Sequence, residues 1–441
     1  MDVQAVDPAT GRVLGTWPAS RPADTDAALD AAVTAQAEWG ARTPEARAAV
    51  LARAGELLRT RAPALTLLLA DEVGRPVREG RAELDAAVAL LDYLARHAAR
   101  HLAPERVSAE KPRAYARFDP RGVLLAVLEG VTVYEDLAHA VGLPLATGSG
   151  VMVLPEVRAP ASALAFVQVL EAAGVPHGLI GVARLAPTEA TAWVADPRIA
   201  GAVARASAAT VRFVREASAR HDTEAWTEGP TNDALVVLAD ADVGDAVAAY
   251  VRGRFHATGQ GRRGPRRCIV VEPLAERFER ELAARIAALV VGPPRDTGTT
   301  IGPVLANGVI ERLATHVEAS VAAGARRVCA SRFPEGPGAW CPALLVAGLE
   351  PGMPLFDERV QGPLALLATA HDEAHAFELA TSSPDAVGLS VFGRDASRAE
   401  ELALATQAAP VAVNEVPGAD PRLVAPPLLR TLSVRRHVEI A

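Results

Sequence analysis

The stretch Phe255-His256-Ala257-Thr258-Gly259-Gln260-Gly261-Arg262-Arg263-Gly264-Pro265-Arg266-Arg267-Cys268-Ile269-Val270-Val271 decides how the chain is read. A helical pattern ends in it, a loop broken by Gly and Pro follows, and an apolar run begins. Guanidinium forks suit carboxylates and phosphates, so Arg262, Arg263 and Arg266 are candidates to hold an anion. The other reading is that these arginines are solvated or paired with acids. Cys268 opens the apolar run Ile269-Val270-Val271, where a cysteine is expected to be buried and inert.

Outward from this loop the pattern is α/β. Leu235-Val236-Val237-Leu238 is an apolar run, a helix extends to about Phe255, Cys268 to Val271 reads as a strand, and a helix lies near Phe278–Leu289. Upstream, Val123 to Leu128 and Val151 to Leu154 are short apolar runs of the kind buried in a parallel sheet. An Ala-rich helix from Ser162 to Ala173 separates the second of them from Gly181-Val182-Ala183-Arg184-Leu185. Strand, helix, strand in alternation predicts doubly wound α/β domains. In the first hundred residues Asp24 is a candidate helix cap, Thr43-Pro44-Glu45 is a helix start, Pro63–Val73 reads as a helix stopped by Gly74, and Glu79–Ala95 reads as another. Residues 103–120 change character: Arg113, Tyr115 and Arg117 alternate with Ala114, Ala116 and Phe118, a two-faced strand. The final stretch, Leu432 to Ile440, is strand-like and a candidate to pair with it.

With 441 residues, half of them hydrophobic, two or three domains can share one body. A net charge of −8 argues against nucleic acid as the main partner and fits a soluble protein handling small molecules. No signal peptide is evident at Met1-Asp2-Val3, and no charge-free run approaches the roughly 18 residues of a membrane span. The cytoplasm is the expected compartment. Cys268, Cys329 and Cys341 make no disulfide framework and do not resemble a zinc site, so no metal is expected.

The loop resembles the nucleophile loop of the aldehyde dehydrogenase superfamily, F-x-x-x-G-Q-x-C-x-x-x-x-R-x-x-V. Phe255, Gly259, Gln260, Arg267 and Val270 fall in register, and so do Asp7-Pro8-Ala9-Thr10-Gly11 and Asp71-Glu72-Val73-Gly74-Arg75-Pro76 near the start. The resemblance implies two interleaved doubly wound α/β domains with a small β oligomerisation element. It places a Rossmann-like domain at 1–102 and 121–227, a catalytic α/β domain at 228–426, and an oligomerisation hairpin and tail strand at 103–120 and 427–441.

It also implies a set of site positions, and most hold other residues here. The nucleophile position is Arg262. The asparagine of P-W-N-F-P, an oxyanion donor worth about 2.7–4 kcal/mol, is Val131 within Glu129-Gly130-Val131-Thr132-Val133. The adenosine-ribose lysine is Leu154, and the F-T-G-S turn is Ala204-Arg205-Ala206-Ser207 without its glycine. The nicotinamide-ribose motif E-E-x-F-G-P has Arg359 and Gln361 at its second acid and its aromatic. Only the general base remains, as Glu228. It reads as a retained base or as the partner of Arg262 in an ion pair filling the site, and the second reading is preferred. Tyr134, Glu135, Asp136 and His139 follow the altered loop and are candidates for new acid–base chemistry; Glu135 and Asp136 also suit the first turn of a helix. The P-F-G-G-x-K-x-S-G region is reduced to Val424-Ala425-Pro426-Pro427-Leu428.

Three functions follow from the resemblance and its departures. The expected one is a non-catalytic structural or regulatory subunit, a pseudoenzyme with NAD(P) binding lost. The alternatives are a repurposed NAD-independent enzyme acting on a carbonyl or carboxylate compound in the old cleft, and a residual NAD(P)-dependent aldehyde dehydrogenase. An open cleft lined by Arg263, Tyr134 and Glu228 would favour an enzyme; a cleft plugged by an Arg262–Glu228 pair would favour the subunit. A homodimer or higher homo-oligomer is expected through 103–120 and the final strand, and an active relative is the other candidate partner.

Overall fold

A computed structural model describes residues 2–107, 114–185, 193–417 and 420–439. Arg113 lies outside these residues. The described residues form seventeen strands, β1–β17 in chain order. β1 (Val3–Val6) and β2 (Val13–Trp17) form an N-terminal hairpin. β3 (Glu105–Arg106), β4 (Tyr115–Pro120) and β17 (Ser433–Val438) form a small antiparallel sheet. β17 pairs with β4 from Ser433↔Pro120 to Val438↔Tyr115, so the final stretch does join the segment at 103–120.

The first large sheet holds β5 (Val123–Leu128), β6 (Gly150–Leu154), β7 (Ile180–Val182), β8 (Ile199–Arg205) and β9 (Ala225–Glu228). Its order is β7-β6-β5-β8-β9, all parallel. β5 and β6 are buried at every residue, as expected of strands covered on both faces. Strand order reverses between β5 and β8, which leaves a crevice over their carboxyl ends.

The second sheet holds β10 (Ala234–Val237), β11 (Arg267–Val271), β12 (Arg326–Ala330), β13 (Leu344–Ala347), β14 (Leu364–Ala370), β15 (Leu389–Phe392) and β16 (Val411–Val413). Its order is β12-β13-β14-β11-β10-β15-β16, parallel except for β12 on β13. β11 is the centre, so the loop that feeds it is anchored from inside. Arg267 is buried there. Its guanidinium donates to the carbonyls of Asn232, Leu379 and Ala380 at 2.9–3.0 Å and lies over the Phe356 ring.

Two helix expectations change. The segment 63–73 is not a separate helix: one helix runs Pro44–Val73 with Pro63 inside it. Packing overrides the breaker, because Leu58, Ala62, Leu65 and Leu69 are buried against the neighbouring helix Val77–His101. Both ends follow the sequence signals. Thr43 accepts from Ala46 N, and Gly74 closes the helix at φ 69°. Asp24 sits in the first turn of Pro22–Ala41 and pairs with Arg21, the residue at the cap. No helix among the described residues is long and apolar enough to cross a membrane.

Candidate active site

The carboxyl ends of β5, β8 and β9 face the loop 256–266 that leads into β11. That loop is held in a costly shape. Ala257 and Thr258 have φ of 56° and 55°, a left-handed conformation that side chains with a Cβ rarely adopt, and Gly259 follows at 68°. Glycine is required at 259 for a second reason: a Cβ there would lie 1.9 Å from the Gly362 carbonyl oxygen. Glu79 accepts from Ala257 N, and Gln260 Oε1 accepts from Leu305 N at 2.9 Å. These contacts fix where Gly261, Arg262 and Arg263 emerge.

Arg262 is buried. It pairs with Asp136, donates to Thr132 Oγ1 and to the Glu129 carbonyl at 3.2 Å each, and reaches Glu228 only at 3.9 Å. Its Nε is buried and has no hydrogen-bond partner among the described residues. Arg205, at the end of β8, bridges Asp136 at 2.8 Å and Glu228 at 2.6 Å. Arg263 forks on Glu228 with two bonds of 2.9 Å. Three guanidinium groups therefore share two carboxylates. The expected Arg262–Glu228 plug is replaced by this wider network, because Asp136 lies closer to Arg262 and Arg263 takes the Glu228 fork. Asp136 sits one turn beyond Thr132 in Val133–Leu137, so it both accepts from Thr132 Oγ1 and meets the arginines.

The network sets the charge states. Burial pushes the Glu228 carboxyl up, but Arg205, Arg262 and Arg263 outweigh it and hold the group at about 2. Burial, with Arg205 beside it, lowers His139 to about 4. Burial also lowers Arg266 to about 9, with Arg254 adding to the effect. Arg266 spends its donors on the Gly259 and Gly261 carbonyls within the loop, so it holds the loop and not a ligand.

Three cavities meet at the network. A groove of about 580 Å³ lies over the carboxyl ends of β5 and β6, and Val131, Leu154, Ser207, Gln361 and Arg262 line it. An open cleft of about 380 Å³ holds Glu135, His256, Arg262, Arg263 and Glu228. A rear cavity of about 340 Å³ lies behind Arg205, Glu228 and Arg263 and includes His139.

Tyr134 is the sequence candidate that fails. It is fully buried, its hydroxyl donates to the Leu65 carbonyl and its ring stacks on Phe166, because the helix turns this residue toward the N-terminal helices. Arg359 pairs with Asp385 and does not line the groove. Arg205 and the Asp136–Arg262 pair were missed. The available signal was a charge closing the apolar strand Ile199–Ala204. Cys268 is buried in β11 with its thiol pushed well up by burial, and Cys341 is pushed to about 11 by the same cause. No cysteine lines any of the three cavities.

The chain matches the model of the aldehyde dehydrogenase family over residues 1–426. It is 29% identical over 420 residues to the NAD(P)+ succinate semialdehyde dehydrogenase Sad of Escherichia coli, covering 95% of this chain and 91% of that one. It is 30% identical over 398 residues to the NADP(+) succinate-semialdehyde dehydrogenase of Deinococcus radiodurans, covering 90% and 83%. A solved succinate-semialdehyde dehydrogenase from Burkholderia pseudomallei superposes with a TM-score of 0.92 at 25% identity, covering 100% of this chain and 95% of that one. The α/β fold expected from the sequence is thereby shown.

These relatives overturn two expectations. A non-catalytic pseudoenzyme subunit is contradicted by near-full-length similarity to proteins named as dehydrogenases, and loss of the dinucleotide by the NAD(P)+ and NADP(+) in their names. Of the three residues expected to line an enzyme's cleft, Arg263 and Glu228 do so and Tyr134 does not.

Proposed function

The chain belongs to the aldehyde dehydrogenase family, and from that premise we propose that it oxidises a small aldehyde with a nicotinamide dinucleotide, without a cysteine nucleophile. The observation that carries this reading is that the groove and the cleft share Arg262.

The groove suits the dinucleotide in place and size. It lies at a strand-order reversal, within the roughly 300–1,000 Å³ of small-molecule clefts. Val127, Leu154 and Leu185 give it an apolar floor. Arg158 and Arg312 line it, and neither makes an ion pair among the described residues. Gly130, at φ 112°, leaves the backbone bare toward Arg262. One contact differs from the usual phosphate grip: Glu129 accepts from Ser207 N and Thr210 Oγ1, capping the helix Ala208–Arg220 with a carboxylate. Arg158 and Arg312 are then the groups left to hold the phosphates. When bound, the nicotinamide supplies the hydride acceptor.

The protein's own groups do the rest. Arg262 lines both chambers and its Nη1 donates to the Glu129 carbonyl at one position, so its remaining N–H would serve an aldehyde oxygen between groove and cleft, standing in for the donor lost at Val131. With no thiol at 262, water is the species that adds to the carbonyl; one of its protons ends on the former carbonyl oxygen, giving the hydrate. Loss of a hydride to the dinucleotide and of a proton to solvent would leave the carboxylic acid. Glu228, kept ionised, orients that water but is a weak base at about 2, so turnover is expected to be slow.

The test is to mix the protein with NAD+ or NADP+ and succinic semialdehyde or betaine aldehyde, and to follow reduced nicotinamide and dinucleotide binding by calorimetry. Slow reduction that survives iodoacetamide is expected. Neither reduction nor binding at millimolar dinucleotide would end the reading. Inactivation by iodoacetamide that aldehyde protects against would put a thiol back into the chemistry.

A further inference from the structure

The rear cavity has two unlike halves, and strand register sets them apart. β8 and β9 run parallel with Val203 opposite Trp226 and Arg205 opposite Glu228. Alternate residues of a strand share a face, so these four side chains form one floor, apolar at one end and charged at the other. The roof continues the apolar end. Val424 and Leu428, four apart on the helix Pro421–Thr431, stand over it.

At the charged end His139 presents a polar atom without a hydrogen bond among the described residues. His139 is nine-tenths buried and lines the cavity. Its Nδ1 lies 2.8 Å from the Glu135 carbonyl, which can only accept, so Nδ1 carries the proton and Nε2 is a bare acceptor. Burial and Arg205 keep the ring neutral at ordinary pH. No hydrogen bond to Nε2 occurs among the described residues. Arg263, which also faces this end, is half-exposed and brings donors. An acceptor and donors lining one cavity ask for a ligand head with one hydroxyl and one acceptor oxygen.

We propose that this rear cavity is a second small-molecule site, taking a compact apolar compound that carries a hydroxyl together with a carbonyl or carboxylate oxygen. The apolar body lies between Trp226 and Leu428, the hydroxyl donates to His139 Nε2, and the oxygen accepts from Arg263. The site needs no dinucleotide and no turnover, so it stands or falls apart from the oxidation reading.

The probe is 3-hydroxybenzoate, with benzoate as the compound lacking the donor, measured by calorimetry and tryptophan fluorescence. The expected result is binding that quenches Trp226, a quench lost in Trp226→Phe while the heat remains. Leu428→Trp, which fills the cavity from a half-buried position, abolishes binding, and Val424→Trp does the same if the first variant folds poorly. His139→Leu weakens 3-hydroxybenzoate by roughly tenfold, as for one buried hydrogen bond, and leaves benzoate unchanged. Equal affinity in wild type and in the filled variants, or no heat with wild type at millimolar probe, overturns the proposal.

Discussion

Asp136 is the residue on which the site's electrostatics turn. It is buried, and both Arg205 and Arg262 bond it. Asp136→Asn keeps the shape and removes the charge, leaving Arg262 with only neutral acceptors within bonding distance. Breaking one partner of a buried pair costs about 3–5 kcal/mol, and the low end is expected because Arg205 retains Glu228. Urea unfolding measures it. Asp24→Asn, which breaks the exposed Arg21 pair, should produce no measurable change in the same experiment. Glu228 gives a pH signature. Its carboxyl sits at about 2 in the folded chain against an ordinary 4.5, so between these values the unfolded chain binds the extra proton. The stabilisation, on the order of 3 kcal/mol, is complete above about pH 4.5 and is lost as pH falls toward 2. Glu228→Gln should flatten the acid limb of a stability–pH curve by about one proton; an unchanged slope would mean the pairing is not kept in solution.

Among the elements, the loop 256–266 is the most constrained. Gly259→Ala forces a Cβ onto the Gly362 carbonyl in a left-handed conformation, so the loop must shift. A loss of at least about 1–3 kcal/mol is expected in thermal or chemical unfolding, accompanied by displacement of Arg262 and weaker ligand binding in the cleft. Most elements were legible in the sequence because apolar runs and caps are local. Thr43 and Gly74 delimit their helix as read, and Cys268–Val271 is the buried strand it looked to be. Pro63 was misread because the neighbouring helix that tolerates it is invisible in local pattern. The site was legible as positions and not as partners. Arg262 was located by spacing, but its pairing with Asp136 spans 126 residues, and only the approach of two sheets creates it. Tyr134 went wrong for the related reason that adjacent helix residues point to different sides.

At the scale of the whole molecule, the small sheet offers a surface for self-association. Among the described residues β17 is its edge strand, paired only on the β4 side, with Val434 40% exposed. An open edge of this kind invites a second strand. The expected outcome of light scattering at micromolar concentration is a homo-oligomer, and Val434→Pro should shift it toward monomer without unfolding the two large sheets. A monomeric wild type would count against the tail strand as the contact.

The Arg263 fork on Glu228 stands between the cleft and the cavity behind it. A compound that draws the guanidinium backward strips Glu228 of two bonds and of part of the field that keeps it a weak base, so filling one chamber raises the proton affinity of the carboxylate in the other. Linkage makes the effect mutual: whatever protonates or engages Glu228 from the front must alter affinity at the back by the same factor.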